Sequence, residues 1–455
     1  MSKSSVLNMT QGSIMKQIVI FALPILGGNI FQELYNVVDT LIVGKTLGVS
    51  KLAAVGSTGP LLFFVISFII GLASGCSVIT SQKFGADDTA AVKKSIAAHI
   101  IISALLTITT TLVITLNTGR LLNLLQTNKD IYNDAYTYIF IMFAAMPGAV
   151  LYNFLASSLR AVGDSKTPLL FIIFSSVLNI ILDLFFIIVC KWDVAGAAYA
   201  TAVAMVTSGI LCAIVIWKRT PILIPERASW RNLDSIIWEE LKIGIPMGIQ
   251  LSVIAVGFIV LQYVLNGFGS VAVAAFTVGS RVQSLMINPI ASMGVVMATY
   301  VGQNFGAKKW DRILLGVRKS LAFTALFTIV MGLLVWLLNS QIIHMFIDSN
   351  EAQVEAIARQ FLAWSCPLVW TLTFVFVTRG ALQGLGDGVT PMLGGFLELI
   401  MRVAIPLSFS TSLGYTSVCI ASPAAWIACG VTMTVVLLVR IHSMHEQTAA
   451  SAFSG

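Results

Sequence analysis

Four acidic residues stand inside long apolar runs of the sequence, where an ionised side chain is expensive. They are Glu33, Asp39, Asp183 and Glu398. On insertion scales, an acid at the centre of a membrane-spanning helix costs about 2.5 to 3.5 kcal/mol, so such residues are candidates for function. Their chemistry would be the reversible binding of a proton or a metal cation.

The first of these runs gathers polar side chains on one helical face. At about 100° per residue, that face carries Gln32, Tyr35, Asn36 and Asp39. Glu33 lies about 120° from Asp39 around the helix and does not belong to the face. Asp39 is therefore the better candidate of the two acids.

A second polar face lies in the run that contains Asp183. It also carries Ser176 and Asn179, and the Asn179 amide stands one helical turn before the Asp183 carboxylate. An amide oxygen and a carboxylate that point the same way suit a sodium ion or a shared proton. If Asp39 and Asp183 meet in a low dielectric, both cannot ionise cheaply, and the pair is poised to take up a cation. A structural pair that holds helices together by hydrogen bonds is the alternative.

Other charged positions favour structural interpretations. Glu398 and Arg402 have the i, i+4 spacing of a helical ion pair, which favours mutual neutralisation over substrate contact. Arg281 is either buried in the membrane or extends to its surface. Arg160 and Asp164 lie in LRAVGDSKTP, where Gly-Asp followed by Thr-Pro is typical of a turn that leads into a helix. A gate-like role for these last two residues is the alternative.

The elements that position these residues are membrane-spanning helices. Of the 455 residues, 57% are hydrophobic and 10% are charged, and the mean hydropathy is +0.91, whereas a soluble domain has about 25% charged residues. Lipid cannot satisfy an open backbone, so the spans must be helices of about 20 residues. Twelve apolar runs meet this length, at residues 16–43, 52–80, 95–117, 132–157, 167–190, 194–217, 241–265, 271–301, 318–338, 356–380, 390–410 and 416–440. We predict an all-α polytopic membrane protein.

The distribution of Lys and Arg orients the chain in the membrane. Five lie in odd-numbered loops and nineteen in the termini and even-numbered loops or at their edges, so both termini should be cytoplasmic. This topology accounts for the net charge of +7, and we expect no nucleic-acid partner. The first run is too long for the core of a cleaved signal peptide and should remain as an anchor.

The sequence lacks the motifs of soluble catalysis. Its six cysteines form no CxxC pair, its four histidines give no HExxH spacing, and it has no Gly-rich phosphate loop. We expect neither an enzyme nor an ATP-driven pump, and no cofactor other than a coupling ion.

Three pairs of segments repeat at nearly one offset along the chain. QKFGA at 82–86 recurs as QNFGA at 303–307, LRAVGDSKTP at 159–168 recurs as LQGLGDGVTP at 382–391, and Pro24 recurs as Pro246. Each half holds six spans, an even number, so the halves are parallel repeats. The predicted organisation is an N-terminal six-helix lobe with the coupling-ion site (1–217), a cytoplasmic linker (218–240), a C-terminal six-helix lobe (241–440) and a flexible cytoplasmic tail (441–455). The two lobes should surround a central substrate cavity.

Together these features resemble the multidrug and toxic compound extrusion (MATE) family, in particular its DinF-like bacterial branch. The resemblance extends from Thr10 to about Arg440 and rests on NVVDTLIVG, the two QxFGA motifs and LRAVGDSKTP. It implies a coupling site in the N-terminal lobe formed by Asp39, Asn179, Asp183 and Thr201. Thr201 is assigned by its position in the sixth span alone. The NorM-like branch carries acids in the seventh and tenth spans, where this sequence has Gln250 and no carboxylate, so a second cation site is not expected.

The resemblance implies secondary active export of organic, often cationic or amphipathic, compounds in exchange for protons or sodium ions. The protein would work as a monomer in the bacterial cytoplasmic (inner) membrane. The resemblance is compatible with either the proton or the sodium ion as the coupling ion. Loading of the acids would let the first span bend near Pro24 and Gly27. Contacts with substrate or with the coupling network are expected from Gln32, Tyr35, Asn36, Asn153 and Ser176.

Two other functions compete with export. A flippase for lipid-linked oligosaccharides would share the duplicated architecture, but it should line its cavity with several basic residues, and the spans offer chiefly Arg281 and Arg402. A non-transporting sensor or channel is the third possibility. A sensor or channel would not explain why the chain has both two homologous lobes and a pair of acids in the membrane.

Overall fold

A computed structural model describes residues 6–345 and 351–453 of the chain. Regular structure in this part is helical throughout. The α-helices are α1 (Ile14–Leu47), α2 (Val49–Gly85), α3 (Thr89–Leu116), α4 (Thr118–Leu124), α5 (Tyr132–Ala144), α6 (Met146–Ala161), α7 (Lys166–Asp183), α8 (Asp193–Arg219), α9 (Asp234–Asn266), α10 (Ser270–Gly306), α11 (Trp310–Leu337), α12 (Asn339–Ile343), α13 (Ala352–Ser365), α14 (Thr371–Gly384), α15 (Val389–Leu413) and α16 (Thr416–Phe453). Short 3₁₀ helices occupy Lys129–Ile131, Pro221–Leu223, Arg227–Trp230 and Cys366–Leu368, and one π-helix occupies Leu184–Val189.

Ten of the described helices are long and apolar enough to cross a membrane, and two bent pairs bring the number to twelve. This confirms the predicted all-α membrane fold. The fourth and tenth spans are the bent pairs, which the sequence analysis treated as single runs. The bends measure 45° between Lys129–Ala144 and Met146–Ala161, and 53° between Ala352–Leu368 and Thr371–Gly384.

Proline stands at both bends. Pro147 lies in the first turn of α6, and Pro367 lies in the 3₁₀ turn between α13 and α14. Proline lacks an N–H and clashes with the preceding turn, which breaks a helix. The two prolines are separated by nearly the offset of the repeated motifs, so the broken span is a further duplicated feature.

The turns between helices also repeat in the two halves. Gly48 and Gly269 precede α2 and α10, and both have a φ of +88°. Gly163 and Gly386 have φ of +90° and +89° before α7 and α15. At Gly163 a β-carbon would lie 2.1 Å from the carbonyl oxygen of Leu7, so glycine is required there both for φ and for space.

Asp164 and Asp387 make the same helix-initiating contacts. In each case Oδ1 accepts from the main-chain N of the threonine three residues later, at 3.0 Å, and Oδ2 accepts from its hydroxyl at 2.7 Å. These bonds satisfy free N–H groups at a helix start. The contacts of Asp164 are those expected of a turn that leads into a helix.

By internal contacts the chain divides into two compact units. The first comprises Met1–Asn8 and Ile20–Gly244, and the second Met9–Val19 and Ile245–Gly455. One boundary lies before α1, between Asn8 and Met9, and the other two fall inside α1 and α9. Most of the segment predicted as a linker, 218–240, consists of the 3₁₀ turns and the start of α9, and residues 441–453 of the predicted tail continue α16.

The core of the first unit lies where α6 packs against α8 and α2. The start of α9 is held there by Glu240, which is fully buried. The Ser95 hydroxyl donates to Oε1 of Glu240 at 2.6 Å, and Nε2 of His99 lies 3.5 Å from the same oxygen. These three residues were not predicted from the sequence to lie together.

In the second unit, α10 packs against α14, and α15 against α16. The QNFGA motif at the end of α10 holds the N-terminal segment. Met9 N donates to Gln303 Oε1 at 2.8 Å, while Asn304 Nδ2 and Arg312 Nη2 donate to the Met9 carbonyl at 3.2 and 3.1 Å. The motif is therefore an anchoring device in this half.

Candidate functional site

Three helices of the first unit carry the candidate cation site. Asp39 lies on α1, Asn179 and Asp183 lie on α7, and Thr201 lies on α8. Asp183 is the last α-helical residue of α7 and is followed at once by the π-helix. Single π turns within helices are rare and frequent at functional sites.

Asn179 connects Asp183 to Thr201. With its nitrogen facing the acid, the Asn179 amide donates to Oδ2 of Asp183 at 2.8 Å. Its oxygen then accepts from the main-chain N and from Oγ1 of Thr201, both at 3.1 Å. Thr201, which the sequence analysis assigned by span position alone, is thus in direct contact with the polar face of α7.

The carboxyl groups of Asp39 and Asp183 lie within hydrogen-bonding reach of each other. Asp183 is fully buried and Asp39 is partly buried. Within the described chain, Oδ1 of each acid is buried and has no hydrogen-bond partner. A buried acceptor without a partner costs about 1 to 3 kcal/mol, and more when charged, so this pair has a strong requirement for a proton or a cation.

Two tyrosines complete the surroundings of the acids. The Tyr35 hydroxyl is hydrogen-bonded to Thr201, and Tyr138 of α5 lies close to Asp39 and Tyr35. Tyr138 was missed by the sequence analysis because it belongs to the broken fourth span, whose face cannot be extrapolated from a straight helix. Its side chain gave no distinct signal, because Tyr132 and Tyr136 stand in the same run.

The other predicted network residues occupy helices α1, α6 and α7 but make local contacts. Gln32 and Asn36 are exposed on α1. The buried Ser176 hydroxyl donates to the Ile172 carbonyl at 2.8 Å, and Asn153 Nδ2 donates to the Ala149 carbonyl at 2.8 Å. These last two bonds stay within α7 and α6.

Pro24 and Gly27, the predicted bending residues, lie within α1, which is continuous through the proline. Gly27 faces α7. A methyl group added at Gly27 would lie 3.7 Å from Cδ1 of Leu169, and one at Gly28 would lie 3.1 Å from Cδ1 of Ile172. Small residues therefore let α1 approach α7 closely at this level.

The ligand chemistry of the site is that of oxygen. Two carboxyl groups, an amide oxygen and a hydroxyl suit either a hard monovalent cation or a proton held between the acids. Among the described residues no group of three or more His, Cys, Asp or Glu side chains is placed to hold a metal ion. Oxygen ligands of this kind suit a hard cation more than a transition metal, which prefers nitrogen or sulfur ligands.

The second unit contains a charge cluster of a different kind. The predicted pair of Glu398 and Arg402 is present, with Oε2 and Nη2 at 3.2 Å, and Arg379 of α14 is bonded to Oε1 of the same acid. Arg379 was missed because it lies at the edge of a predicted span, where a long basic side chain ordinarily extends to the membrane surface. Gln250 is buried and accepts from Gln383 at 3.1 Å.

Comparison with known proteins shows the family. A family model described as MatE matches residues 24–185 and again residues 246–409, once in each half. The chain belongs to the MATE family. The resemblance inferred from the motifs is confirmed at this level.

This MATE protein has relatives and structural neighbours that match along its length. It is 30% identical over 408 residues to the "Probable multidrug resistance protein YpnP" of Bacillus subtilis (strain 168), covering 89% of this chain and 90% of the relative. It is 28% identical over 424 residues to the "Probable multidrug resistance protein YoeA" of the same organism, covering 91% of each. A crystal structure of MATE in the bent conformation matches with a TM-score of 0.90 and 23% identity, covering 97% of this chain and 98% of that one. That likeness confirms the MATE fold.

Proposed function

We propose that this MATE protein is a secondary active exporter that moves organic, often cationic or amphipathic, compounds in exchange for protons or sodium ions. The observation that carries the proposal is the meeting of Asp39 and Asp183 in one lobe, with Asn179 bonded to Asp183. The printed names of the Bacillus subtilis relatives support multidrug export. No cofactor is required.

Coupling follows from the energetics of the paired acids. In a low dielectric, one cation removes the repulsion between two adjacent carboxylates and supplies a partner for their free oxygens. The loaded and unloaded forms of the site therefore favour different arrangements of α1 against α7. A cation and a substrate that prefer different arrangements are coupled by that difference in binding free energy.

The moving element in this proposal is α1. Pro24 removes one backbone hydrogen bond from the helix, which makes bending cheaper at that point. Gly27 and Gly28 lie against Leu169 and Ile172 one turn further on. Binding of a cation to Asp39 would shift α1 along α7 where these glycines meet the aliphatic side chains. That shift would release substrate on the outer side.

The proposed setting is the bacterial cytoplasmic membrane, with both termini in the cytoplasm and the monomer as the working form. The distribution of Lys and Arg supports this orientation. The N-terminal position of the acids, together with Gln250 in the seventh span, favours the DinF-like branch over the NorM-like one.

Transport by purified protein in liposomes tests the function. A fluorescent organic cation is followed after a proton gradient is imposed and, separately, after a sodium gradient. We expect the wild type to move the dye with one of the two gradients and Asp39→Asn to lose that transport, because the amide cannot carry the exchangeable charge.

Glu33→Gln provides the matched control, since it removes the same charge from an exposed position on the same helix. It should retain gradient-driven transport. If Asp39→Asn is expressed, folded and as active as the wild type, the coupling role is wrong. If neither gradient moves any of several dyes, lipid-linked oligosaccharides become the substrates to test and the flippase alternative gains support.

A further inference from the structure

The charge cluster of the second unit contains one more positive charge than it neutralises. Arg379 and Arg402 both bind Glu398, one guanidinium to each carboxylate oxygen. The exposed fractions of Arg379, Glu398 and Arg402 are 6%, 3% and 4%. Since arginine stays protonated in proteins, the buried cluster carries a net charge of +1.

The cluster also has hydrogen-bond donors left over. In the described part of the chain, Arg379 Nε and both Nε and Nη1 of Arg402 are buried without an acceptor. The aromatic faces of Phe258 and Phe376 lie 4.7 and 5.4 Å from the guanidinium carbons of Arg402 and Arg379. They ease the burial of positive charge, but they leave these N–H groups unbonded.

Gly257 of α9 leaves room for about one methyl group at the free edge of Arg402. A methyl group added there would lie 3.5 Å from Cδ1 of Leu399, 3.7 Å from Cδ of Arg402 and 3.9 Å from its Nη1. Every residue other than glycine would fill this space with its β-carbon. The missing side chain and the free donor therefore stand side by side.

The duplication shows that this position is the counterpart of the cation site. Arg402 follows Asn179 at the same offset that relates Pro391 to Pro168. Gly257 follows Tyr35 at the offset that relates Pro246 to Pro24. Where the first half has a tyrosine and an amide beside two acids, the second half has a glycine beside two arginines.

We propose that the Arg379–Glu398–Arg402 cluster of the second lobe binds one small monovalent anion, a halide or a carboxylate, against Arg402 Nη1 and Gly257. The anion neutralises the excess charge and accepts from a donor that is otherwise unpaired, which is the arrangement that buried charges require. This proposal stands apart from the exporter proposal, because it needs no transport.

Anion binding is measured on the purified full chain in detergent, by thermal unfolding at constant ionic strength. Sodium isethionate, a sulfonate salt that is neither a halide nor a carboxylate, is replaced stepwise by sodium chloride or by sodium formate, and equilibrium dialysis of labelled chloride and formate gives the stoichiometry. A ligand that binds the folded protein raises Tm with its concentration. We expect such a rise for chloride, formate or both, with one anion bound per chain.

Three variants locate the site, and Arg281→Gln is the charge-matched control on an exposed residue of the same unit. Arg402→Gln should lose the anion-dependent rise, and Arg281→Gln should keep it. Gly257→Ala makes ordinary contacts and should fold, yet its methyl should weaken anion binding about tenfold or more. Glu398→Gln removes the competing negative charge and should tighten anion binding at least about tenfold.

The Glu398→Gln result separates a binding site from a structural triad. A triad that serves packing alone would be weakened by this change without any gain in anion affinity. A response to chloride identifies a halide site, and a response to formate alone identifies a carboxylate site, such as one for the acid group of a substrate. The proposal is overturned if neither anion binds or stabilises the wild type, or if Glu398→Gln fails to increase affinity.

Discussion

At the scale of single residues, Thr201 joins two polar partners in the cation site. It bonds to the Asn179 amide and to Tyr35, and so fixes the amide that faces Asp183. Nothing in the local sequence distinguishes its hydroxyl chemically from the others of α8. Thr201 was assigned to the cation site by its position in the sixth span. The polar faces of α1 and α7, in contrast, followed directly from helical spacing.

Thr201→Val should weaken binding of the coupling ion about tenfold without unfolding the protein. The change keeps the shape of the side chain, but it leaves the amide and phenol partners short of one bond each, at about 1 to 3 kcal/mol. The measurement is the concentration of driving ion that gives half-maximal transport in liposomes. Thr201→Ser should restore the wild-type value.

Thr207→Val on the same helix is the control, because Thr207 is partly exposed and its hydroxyl bonds to its own helix at the Val203 carbonyl. An unchanged ion dependence in Thr201→Val would show that the hydroxyl has no part in the site.

At the scale of helices, the sequence predicted the spans well and their breaks poorly. Length and hydropathy are sufficient to locate twelve runs, because each crossing needs a minimum number of apolar residues. Proline is a weaker signal in a membrane. Pro24, Pro60 and Pro246 lie inside continuous helices, whereas Pro147 and Pro367 stand at sharp bends.

Neighbouring helices are a physical reason why prolines in a membrane differ in this way. In a membrane, adjacent helices and side chains can satisfy the freed carbonyl and keep the axis straight. Such contacts depend on tertiary packing and are absent from the local sequence. For the same reason the Arg379 contact to Glu398, between α14 and α15, could not be read from the i, i+4 spacing that revealed Arg402.

The approach of α2 to the start of α9 should be highly sensitive to side-chain size. A β-carbon at Gly75 would lie 2.5 Å from the α-carbon of Gly244, a clash that only movement of the backbone can relieve. We expect Gly75→Ala to cost about 1 to 3 kcal/mol by overpacking. Thermal unfolding of the purified protein measures the loss.

Gly56→Ala is the matched substitution for this test, since Gly56 is on the same helix with nothing within 4 Å of an added β-carbon. It should unfold at or slightly above the wild-type temperature, because alanine favours helix. Equal stability of the two variants would contradict the close approach.

At the scale of the whole molecule, the two halves share backbone geometry more closely than side-chain chemistry. Glycine conformations, Asp-Thr turns and broken spans recur at nearly one offset along the chain. The paired acids of the cation site have no acidic counterparts in the second half. Backbone features thus show the duplication more clearly than side-chain chemistry does. Residues that fix the backbone lie in the three repeated motifs, and those motifs were sufficient to predict the two-lobe fold.

The duplicated turns predict paired effects on stability. Asp164→Ala and Asp387→Ala each remove a helix-start acceptor, at about 1 kcal/mol. Asp387 also pairs with Arg440 at 3.1 Å, so Arg440→Gln should reproduce part of the loss of Tm seen in Asp387→Ala. Thermal unfolding of the three variants measures these losses. If Arg440→Gln has no effect on Tm, this ion pair does not contribute to stability.

Neither compact unit is a continuous stretch of sequence, because α1 and α9 each change unit part-way along, at residues 19/20 and 244/245. The residues around 218–233 look like the natural place to join two parent genes. A chimera joined there would take Glu240 from one parent and its partners Ser95 and His99 from the other. Recombination between relatives should therefore preserve folding best with three crossovers, after Asn8, after Val19 and after Gly244, the last two inside helices.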